Sequence, residues 1–392
     1  MTGESGETLC NILRRPFPTR PEPWGVVRRI LARKHEFGIS RVASITALDR
    51  VGIPVMQVIR PKSRSVAVSQ GKGITNAQAA ISGLMEALEG WASERIASDR
   101  TWQADISDLN EDGLWDHLLP ETSLLGNCGR LSWIGGWDLL SERPQAVPLG
   151  LTDTNYIIPS EYPIWLARDT TGLAAGTSLQ QAIAHALFEI LERHSRCLAM
   201  QTPHFFDRFQ VDASTVRAGV AGDIMRSLTI KEFAVGVWAI PSDHALPVYW
   251  CHIMEDFRQA PLAPLPASGF GCDRTDDNAL VKALLEACQS RLGGISAARE
   301  DVTGKFYAPI DFGALTAWRK RLTGTGSPYS APGAGQQLGP ENDLTLILNA
   351  ARRAGAKAVI AVHLFSDHAI PLHVVRVVAP PLLSNPEVYN ER

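Results

Sequence analysis

The chain has 392 residues, is 45% hydrophobic and 20% charged, and carries a formal net charge of −3. That length can bury a large core as one elaborate domain or two, and that charge leaves no basic footprint for nucleic acid or an anionic membrane. The opening MTGESGETLCNILRR lacks the apolar core of a signal peptide, and no stretch approaches the roughly 20 apolar residues of a membrane span, so a cytoplasmic protein is expected.

Residues 1–40 read as an N-terminal arm, with residues 41–392 as the main domain. The Pro-rich PFPTRPEP cannot be regular helix or inner strand, and the basic stretch WGVVRRILARKHEFG that follows it reads as helix. RVASITALDRVGIPVMQVIRP and SVAVSQ are β-rich runs divided by turn signals. GKGITNAQAAISGLMEALEGWASERI is a capped helix, and the Trp-rich stretch from about 102 to 165 reads as loops and short strands. AAGTSLQQAIAHALFEILERHSR is a second capped helix, IKEFAVGVWAI and LPVYWCHIM are strands, and RTDDNALVKALLEACQSRL is a third capped helix. The Gly- and Pro-dense segment 323–342 is expected to be a mobile loop. A helix over 343–355 and strands AVIAVHLF and PLHVVRVVAP close the chain. Helices and strands intermix throughout, which places the fold in the α/β or α+β class.

The three capped helices share one spacing. Thr75 precedes Glu86, Ser178 precedes Glu189 and Thr275 precedes Glu286, each by eleven residues. Each Glu has a polar residue at i+3 on the same helix face: Glu89, Glu192 and Gln289. Gln78 and Gln181 stand where a capping-box partner belongs. Eleven residues is about three turns, so each Glu is expected near the negative end of its helix. Clustered carboxylates there would repel unless a cation joined them. Oxygen ligands suit Mg²⁺, which usually arrives with phosphates. The pattern therefore points to an ATP–Mg²⁺ site built from helix faces.

Taken singly, each piece has a plainer reading. SQGKG, residues 69–73, could cradle an anion with Lys72 adding charge, or be an ordinary tight turn; it is not a Walker A sequence. Glu86 and Glu89 alone could be a solvated face, and Glu189 with Arg193 an intrahelical ion pair. Phe188, Ile190 and Leu191 interleave with the acids, however, which argues for a largely buried helix whose carboxylates need partners. Arg291, Arg299, Glu300 and Asp301 follow the third set. His185 and His194 lack a metal-pair spacing, Ser195 has no visible base partner, and the six cysteines include no C-x-x-C pair. Structural thiols in a reducing compartment are expected.

Read together, SQGKGITNAQAAISGLMEALEGW, TGLAAGTSLQQAIAHALFEILERHSR and GFGCDRTDDNALVKALLEACQSRLGGISAARED resemble the ATP-binding motifs of the YcaO family in order and spacing. The resemblance covers roughly residues 38–380. The upstream FGISRVASITALDRVGIPVMQVIRPKSRSVAVSQGKG and the late IPLHVVRVVAP are similar to the branch that occurs with TfuA partners. The resemblance implies a YcaO fold with a nucleotide cleft, occupying residues 41–392, and ATP-dependent activation of a peptide-backbone amide. It makes Glu86, Glu89, Glu189, Glu192 and Glu286 candidate Mg²⁺ ligands, with Gln289 also in the phosphate site. Glu189, Glu192 and Arg193 are the candidate catalytic residues, and Arg193 is expected on phosphate. Ser82, one turn before Glu86, and Lys72, Arg291 and Arg299 are further nucleotide-site candidates.

Three positions depart from many relatives: Gln181 where a Glu is common, His194 where the pattern reads ERD, and Gly90 where an Arg is common. Azoline-forming members often end in P-x-P-x-P, whereas this chain ends APPLLSNPEVYNER. Thioamide formation with an external sulfur source, a TfuA-like partner and a separate peptide substrate is therefore the preferred expectation. An azoline-forming cyclodehydratase is the alternative. A catalytically silent nucleotide-binding scaffold is a third reading, motivated by Gln181 and His194. A homodimer is the default assembly.

Overall fold

The computed structural model describes residues 21–119, 130–255, 263, 265–300, 309–329, 343–367 and 369–384. Residues 1–20 of the expected arm, Cys10, Cys128, Asp301, most of the Gly/Pro segment and the end of the C-terminal tail lie outside these. The first described helix, α1 (Pro23–Ala32), has proline at its first turn, and the Glu22 carboxylate accepts the backbone N–H groups of Trp24 and Gly25 at its start.

Three sheets build the rest. The first is an antiparallel meander of β1 (Arg41–Ser44), β2 (Val55–Ile59) and β3 (Val68–Lys72). The second contains β4 (Thr101–Asp105), β5 (Arg130–Asp138), β6 (Arg143–Pro148) and β7 (Leu173–Gly176), completed by the late strands β13 (Ile360–Asp367) and β14 (Leu372–Val378). Its order is β4-β5-β13-β14-β7, with β6 paired to β5. The third comprises β8 (Gln210–Asp212), β9 (Phe233–Ile240), β10 (Val248–Glu255), β11 (Ala267–Cys272) and β12 (Ser327–Pro328), in the order β11-β10-β9-β8-β12.

The three capped helices are α2 (Asn76–Ser93), α3 (Leu179–Gln201) and α5 (Asp276–Ser296); α4 (Gly219–Ile230) precedes α5. The later helices are α6 (Phe312–Leu322) and α7 (Asp343–Arg353). Each capped helix covers its own apolar cluster. Leu84 and Leu88 of α2 pack with Val374 of β14. Ile183 and Leu187 of α3 pack with Val375 of β14 and Trp250 of β10. Ala283 and Leu284 of α5 pack with Cys251 and Ile253 of β10. Strands β10 and β14 are thus covered on both faces, which is why VYWCHIM and LHVVRVV read as nearly unbroken apolar runs.

Several expectations need correction. The helices run on to Ser93, Gln201 and Ser296, so Glu86, Glu189 and Glu286 sit mid-helix, and the helix dipole has no special hold on them. Thr75 and Gln78 form the full capping box, whereas at α3 the Ser178 side chain accepts the Gln181 N–H and the Gln181 side chain accepts the hydroxyl of Thr177. Helices α4 and α6 lie where the sequence reading places no helix. Residues Ser69–Lys72 are strand, not a phosphate loop. Gly71 is required there by close packing: a Cβ would lie 2.0 Å from the Gly83 nitrogen and 2.1 Å from the Ala79 carbonyl oxygen of α2. Gly271 repeats this in β11, where a Cβ would lie 2.1 Å from the Ala279 carbonyl oxygen of α5.

Candidate functional site

Strands β3, β7 and β11 are each an edge of their sheet, and each leads through a Thr or Ser cap into one of the three helices. An edge strand exposes backbone groups that need partners. Polar side chains from a neighbouring unit's helix supply them here. On α2, Glu89 Oε1 accepts the Ala175 N–H of β7 at 2.7 Å. On α3, Glu192 Oε2 accepts the Cys272 N–H of β11 at 3.2 Å. On α5, Gln289 Nε2 donates to the Gln70 carbonyl of β3 at 2.7 Å. Each helix reaches the next unit's edge strand, and the third closes on the first. This ring brings the three polar faces together.

The remaining candidates complete the inner wall. Glu286 Oε1 accepts the Phe270 N–H at 3.3 Å, and its Oε2 meets Lys72 Nζ at 2.7 Å. Glu189 Oε2 accepts the Gly172 N–H at 3.0 Å, and Oε1 lies 3.0 Å from an Nη2 of Arg193. Gly172 has φ +79, and a Cβ on it would lie 2.2 Å from the Val377 carbonyl oxygen, so only glycine suits this turn. Glu86 Oε1 stands 3.5 Å from Arg299 Nη1. Ser82 is half-buried on α2. Arg291 is placed elsewhere: it is five residues past Glu286, off that face, and its guanidinium is buried against Asp49, Glu255 and the Ala263 carbonyl.

Among the described residues, these five carboxylates thus adjoin the cations Lys72, Arg193 and Arg299. Burial is the largest influence on the titration of Glu192, Glu89, Glu86 and Glu286, and neighbouring charges modify it. Burial, reinforced by Glu286 and Glu189, pushes the Glu192 carboxyl up to about 8. Burial and then Glu86 hold Glu89 well above the usual carboxylate range, and burial raises Glu86 as well. Burial opposes charge on Glu286, but Lys72 outweighs it and holds that carboxyl below its ordinary value. Burial likewise disfavours charge on Lys72, yet Glu286, Glu192 and Glu86 raise its pKa. Arg193 is also raised, Glu189 and Glu192 prevailing over its burial.

Among the described residues no three His, Cys, Asp or Glu groups form a ready-made metal cage. Mg²⁺ does not need one, since it keeps several waters and takes one or two carboxylates together with phosphate oxygens. The mutual repulsion of these acids fits a cation between them, and the flanking Lys72, Arg193 and Arg299 fit phosphate.

Two residues not singled out from sequence adjoin this wall. Asp169 is held below the usual range despite burial, chiefly by Arg376, and Arg193 adds to this. Arg376 of β14 donates from Nη2 to the Asp169 carbonyl at 2.9 Å and lies 3.6 Å from its carboxylate. A lone Arg within the run VVRVV was the available signal, because a charge in a twice-covered strand needs partners.

The residues that departed from the familiar pattern have defined places. His194 is buried, and its Nδ1 accepts the Leu383 N–H at 3.1 Å, anchoring the C-terminal segment. Ser195 does have a histidine beside it, His244 Nε2 at 2.9 Å. His244 Nδ1 accepts the Leu246 N–H, so its proton sits on Nε2 and is donated to the serine, whose own hydroxyl donates to the Leu191 carbonyl. The pair is structural and offers no general base to Ser195. Cys197, Cys251, Cys272 and Cys288 are buried free thiols.

Residues 70–383 match a family model described as YcaO cyclodehydratase, ATP- and Mg²⁺-binding. The chain is similar to an uncharacterised protein of Mycobacterium tuberculosis (strain ATCC 25618 / H37Rv), 32% identical over 375 residues, covering 92% of this chain and 81% of that one. It is 27% identical over 365 residues to an uncharacterised Rhizobium leguminosarum bv. trifolii protein named for lying in the tfuA 3′ region, covering 88% of this chain and 84% of that protein. Its fold is similar to the structure of YcaO from Methanopyrus kandleri bound with AMPPCP and Mg²⁺, with a TM-score of 0.71, 21% identity, and coverage of 95% of this chain and 93% of that one. No helix among the described residues is long and apolar enough to cross a membrane.

Proposed function

The chain belongs to the YcaO family, and from that footing we propose that it uses ATP and Mg²⁺ to convert a peptide-backbone amide into a thioamide. The observation that carries the nucleotide part is the closed ring of helix faces, which directs Glu86, Glu89, Glu189, Glu192 and Glu286 inward beside Lys72, Arg193 and Arg299. Mg²⁺, when bound, neutralises phosphate charge. In this reading Glu89 and Glu192, fixed by the Ala175 and Cys272 N–H groups, are its foremost ligands, with Glu86, Glu189 and Glu286 adjoining. Arg193, fixed by Glu189, and Lys72, fixed by Glu286, stabilise the charge that moves onto the transferred phosphoryl group.

The balanced reaction is an exchange. The amide oxygen takes the γ-phosphoryl group and ADP leaves. Hydrosulfide adds to the activated carbon, and phosphate departs with the former amide oxygen, giving thioamide, ADP and inorganic phosphate. The tfuA-region relative supports a TfuA-like partner for delivering peptide or sulfur. The family description as cyclodehydratase supports a second reading, in which a neighbouring Cys, Ser or Thr side chain attacks and an azoline forms.

Mass spectrometry separates them. A candidate peptide encoded beside this protein is incubated with the protein, a TfuA-like partner, ATP, Mg²⁺ and sulfide, with Glu192→Ala as control. Replacement of one oxygen by sulfur, absent in the control, is expected. Loss of water assigns azoline formation instead. ATP binding without any peptide-dependent ADP release, across the peptides encoded nearby, contradicts both.

A further inference from the structure

Arg376 is the most anomalous polar group beside the site. Its residue is 3% exposed, and its Nε and Nη1 have no hydrogen-bond partner among the described residues. Among the described residues it is Nη2 that is engaged, by Asp169. A buried guanidinium ordinarily satisfies its fork of N–H donors, because leaving them bare forfeits hydration without replacement. The backbone fixes where the strand that carries these donors lies. Arg376 pairs in register with Leu173 of β7, and the next residue, Val377, donates its N–H to the Gly172 carbonyl at 2.7 Å. Gly172 in turn donates its N–H to Glu189, which holds Arg193. Arg376 contacts Asp169 from the strand, and Arg193 on the helix is near enough to favour the charge on Asp169. The two arginines are close enough that Arg193 disfavours charge on Arg376 and Glu189 favours it, while burial is the main opposing cause.

We propose that Arg376 is a second phosphoryl-binding arginine of this site, presenting Nε and Nη1 to an oxygen of the transferred phosphoryl group. This rests on the ATP reading above. Two neighbouring guanidiniums repel each other, and an anion accepting the unused N–H groups relieves the repulsion and the missing hydrogen bonds together. A planar fork suits a phosphoryl group in particular, since it can engage two oxygens or grip one from two nitrogens.

The test is isothermal titration calorimetry on the full chain with Mg²⁺, using AMPPCP, ADP, and ADP with inorganic phosphate. Wild type is compared with Arg376→Met and Arg376→Lys. The Met variant is expected to bind AMPPCP about 10- to 100-fold more weakly and ADP within about 3-fold of wild type, as for loss of hydrogen bonds to a charged group. The Lys variant, which keeps charge but not the fork, is expected to fall between them. A loss confined to the ADP-with-phosphate arm would place the same contact on phosphate after transfer. Equal changes for AMPPCP and ADP, with a lowered unliganded melting temperature in the Lys variant also, would overturn the proposal and make Arg376 a structural partner of Asp169. Unchanged affinities in all three arms would overturn it too. Failure of wild type to bind AMPPCP would overturn both this proposal and the reading beneath it.

Discussion

Lys72 Nζ lies 2.7 Å from Oε2 of Glu286, joining the end of one sheet's edge strand to the helix that starts from another's. The pair is half-buried, with side-chain exposures of 26% and 33%, so its static contribution is screened. We expect Lys72→Met to cost less than about 1 kcal/mol in urea unfolding. Peptide-dependent ADP release should fall about 10- to 1000-fold, as for loss of a transition-state charge partner. A stability loss large enough to explain the lost activity would assign the pair a purely structural role.

Glu192 gives a pH dependence with a definite sign. Its carboxyl titrates near 8 when folded, mainly through burial and then through Glu286. An unfolded Glu titrates near ~4.3, so between these values the folded chain holds a proton that the unfolded chain has lost. Its contribution to stability is full below the lower value and declines as pH rises toward 8. Glu89, raised for the same leading reason, acts with the same sign. The unliganded melting temperature should fall between pH 5 and 8, and Glu192→Gln should flatten that fall. Binding of Mg²⁺ and nucleotide at pH 7 should release about one proton from this carboxyl. Calorimetry in buffers of different ionisation enthalpy reads that release directly.

Gly71→Ala is expected to harm fold and site together. The added Cβ would sit 2.0 Å from the Gly83 nitrogen, so α2 must move off β3. The expected cost is about 2–3 kcal/mol, as for overpacking. The same shift displaces Glu86 and Glu89, so nucleotide affinity should fall as well. Urea unfolding and titration with AMPPCP measure the two effects separately.

Ser195→Ala separates a structural serine from a nucleophile. His244 would lose the hydroxyl that accepts its Nε2 proton, at an expected stability cost of about 1–3 kcal/mol. Turnover by the folded fraction should stay within about 2-fold of wild type. A drop of several orders of magnitude would revive covalent catalysis at this residue.

The sequence made the helices legible because their caps, their Ala- and Leu-rich bodies and their repeated Glu spacing are local signals. It also placed the six polar residues of these helices on three common faces. It did not reveal why those faces meet. The Ala175, Cys272 and Gln70 backbone groups that receive Glu89, Glu192 and Gln289 belong to sheet edges, and no local pattern states which strand will be an edge. Gly71 read as a turn because its real constraint, the closeness of α2, is tertiary. Arg291 resembled a site residue by proximity to Glu286, yet its helix angle turns it into the Asp49 and Glu255 network. Helix α4 escaped because its start has no side-chain cap, and α6 because its apolar face is short, burying Leu315 and Leu322.

On the reading proposed above, these helix carboxylates hold a divalent cation together with phosphate oxygens. Electron paramagnetic resonance of Mn²⁺, substituted for Mg²⁺, is the decisive test. With wild-type protein, AMPPCP should convert the free Mn²⁺ signal into a protein-bound one, and the combined Glu89→Gln and Glu192→Gln variant should leave the Mn²⁺–AMPPCP signal as it is without protein. Mn²⁺ that stays off the wild-type protein in the presence of AMPPCP, or that binds the folded variant equally well, would contradict that reading.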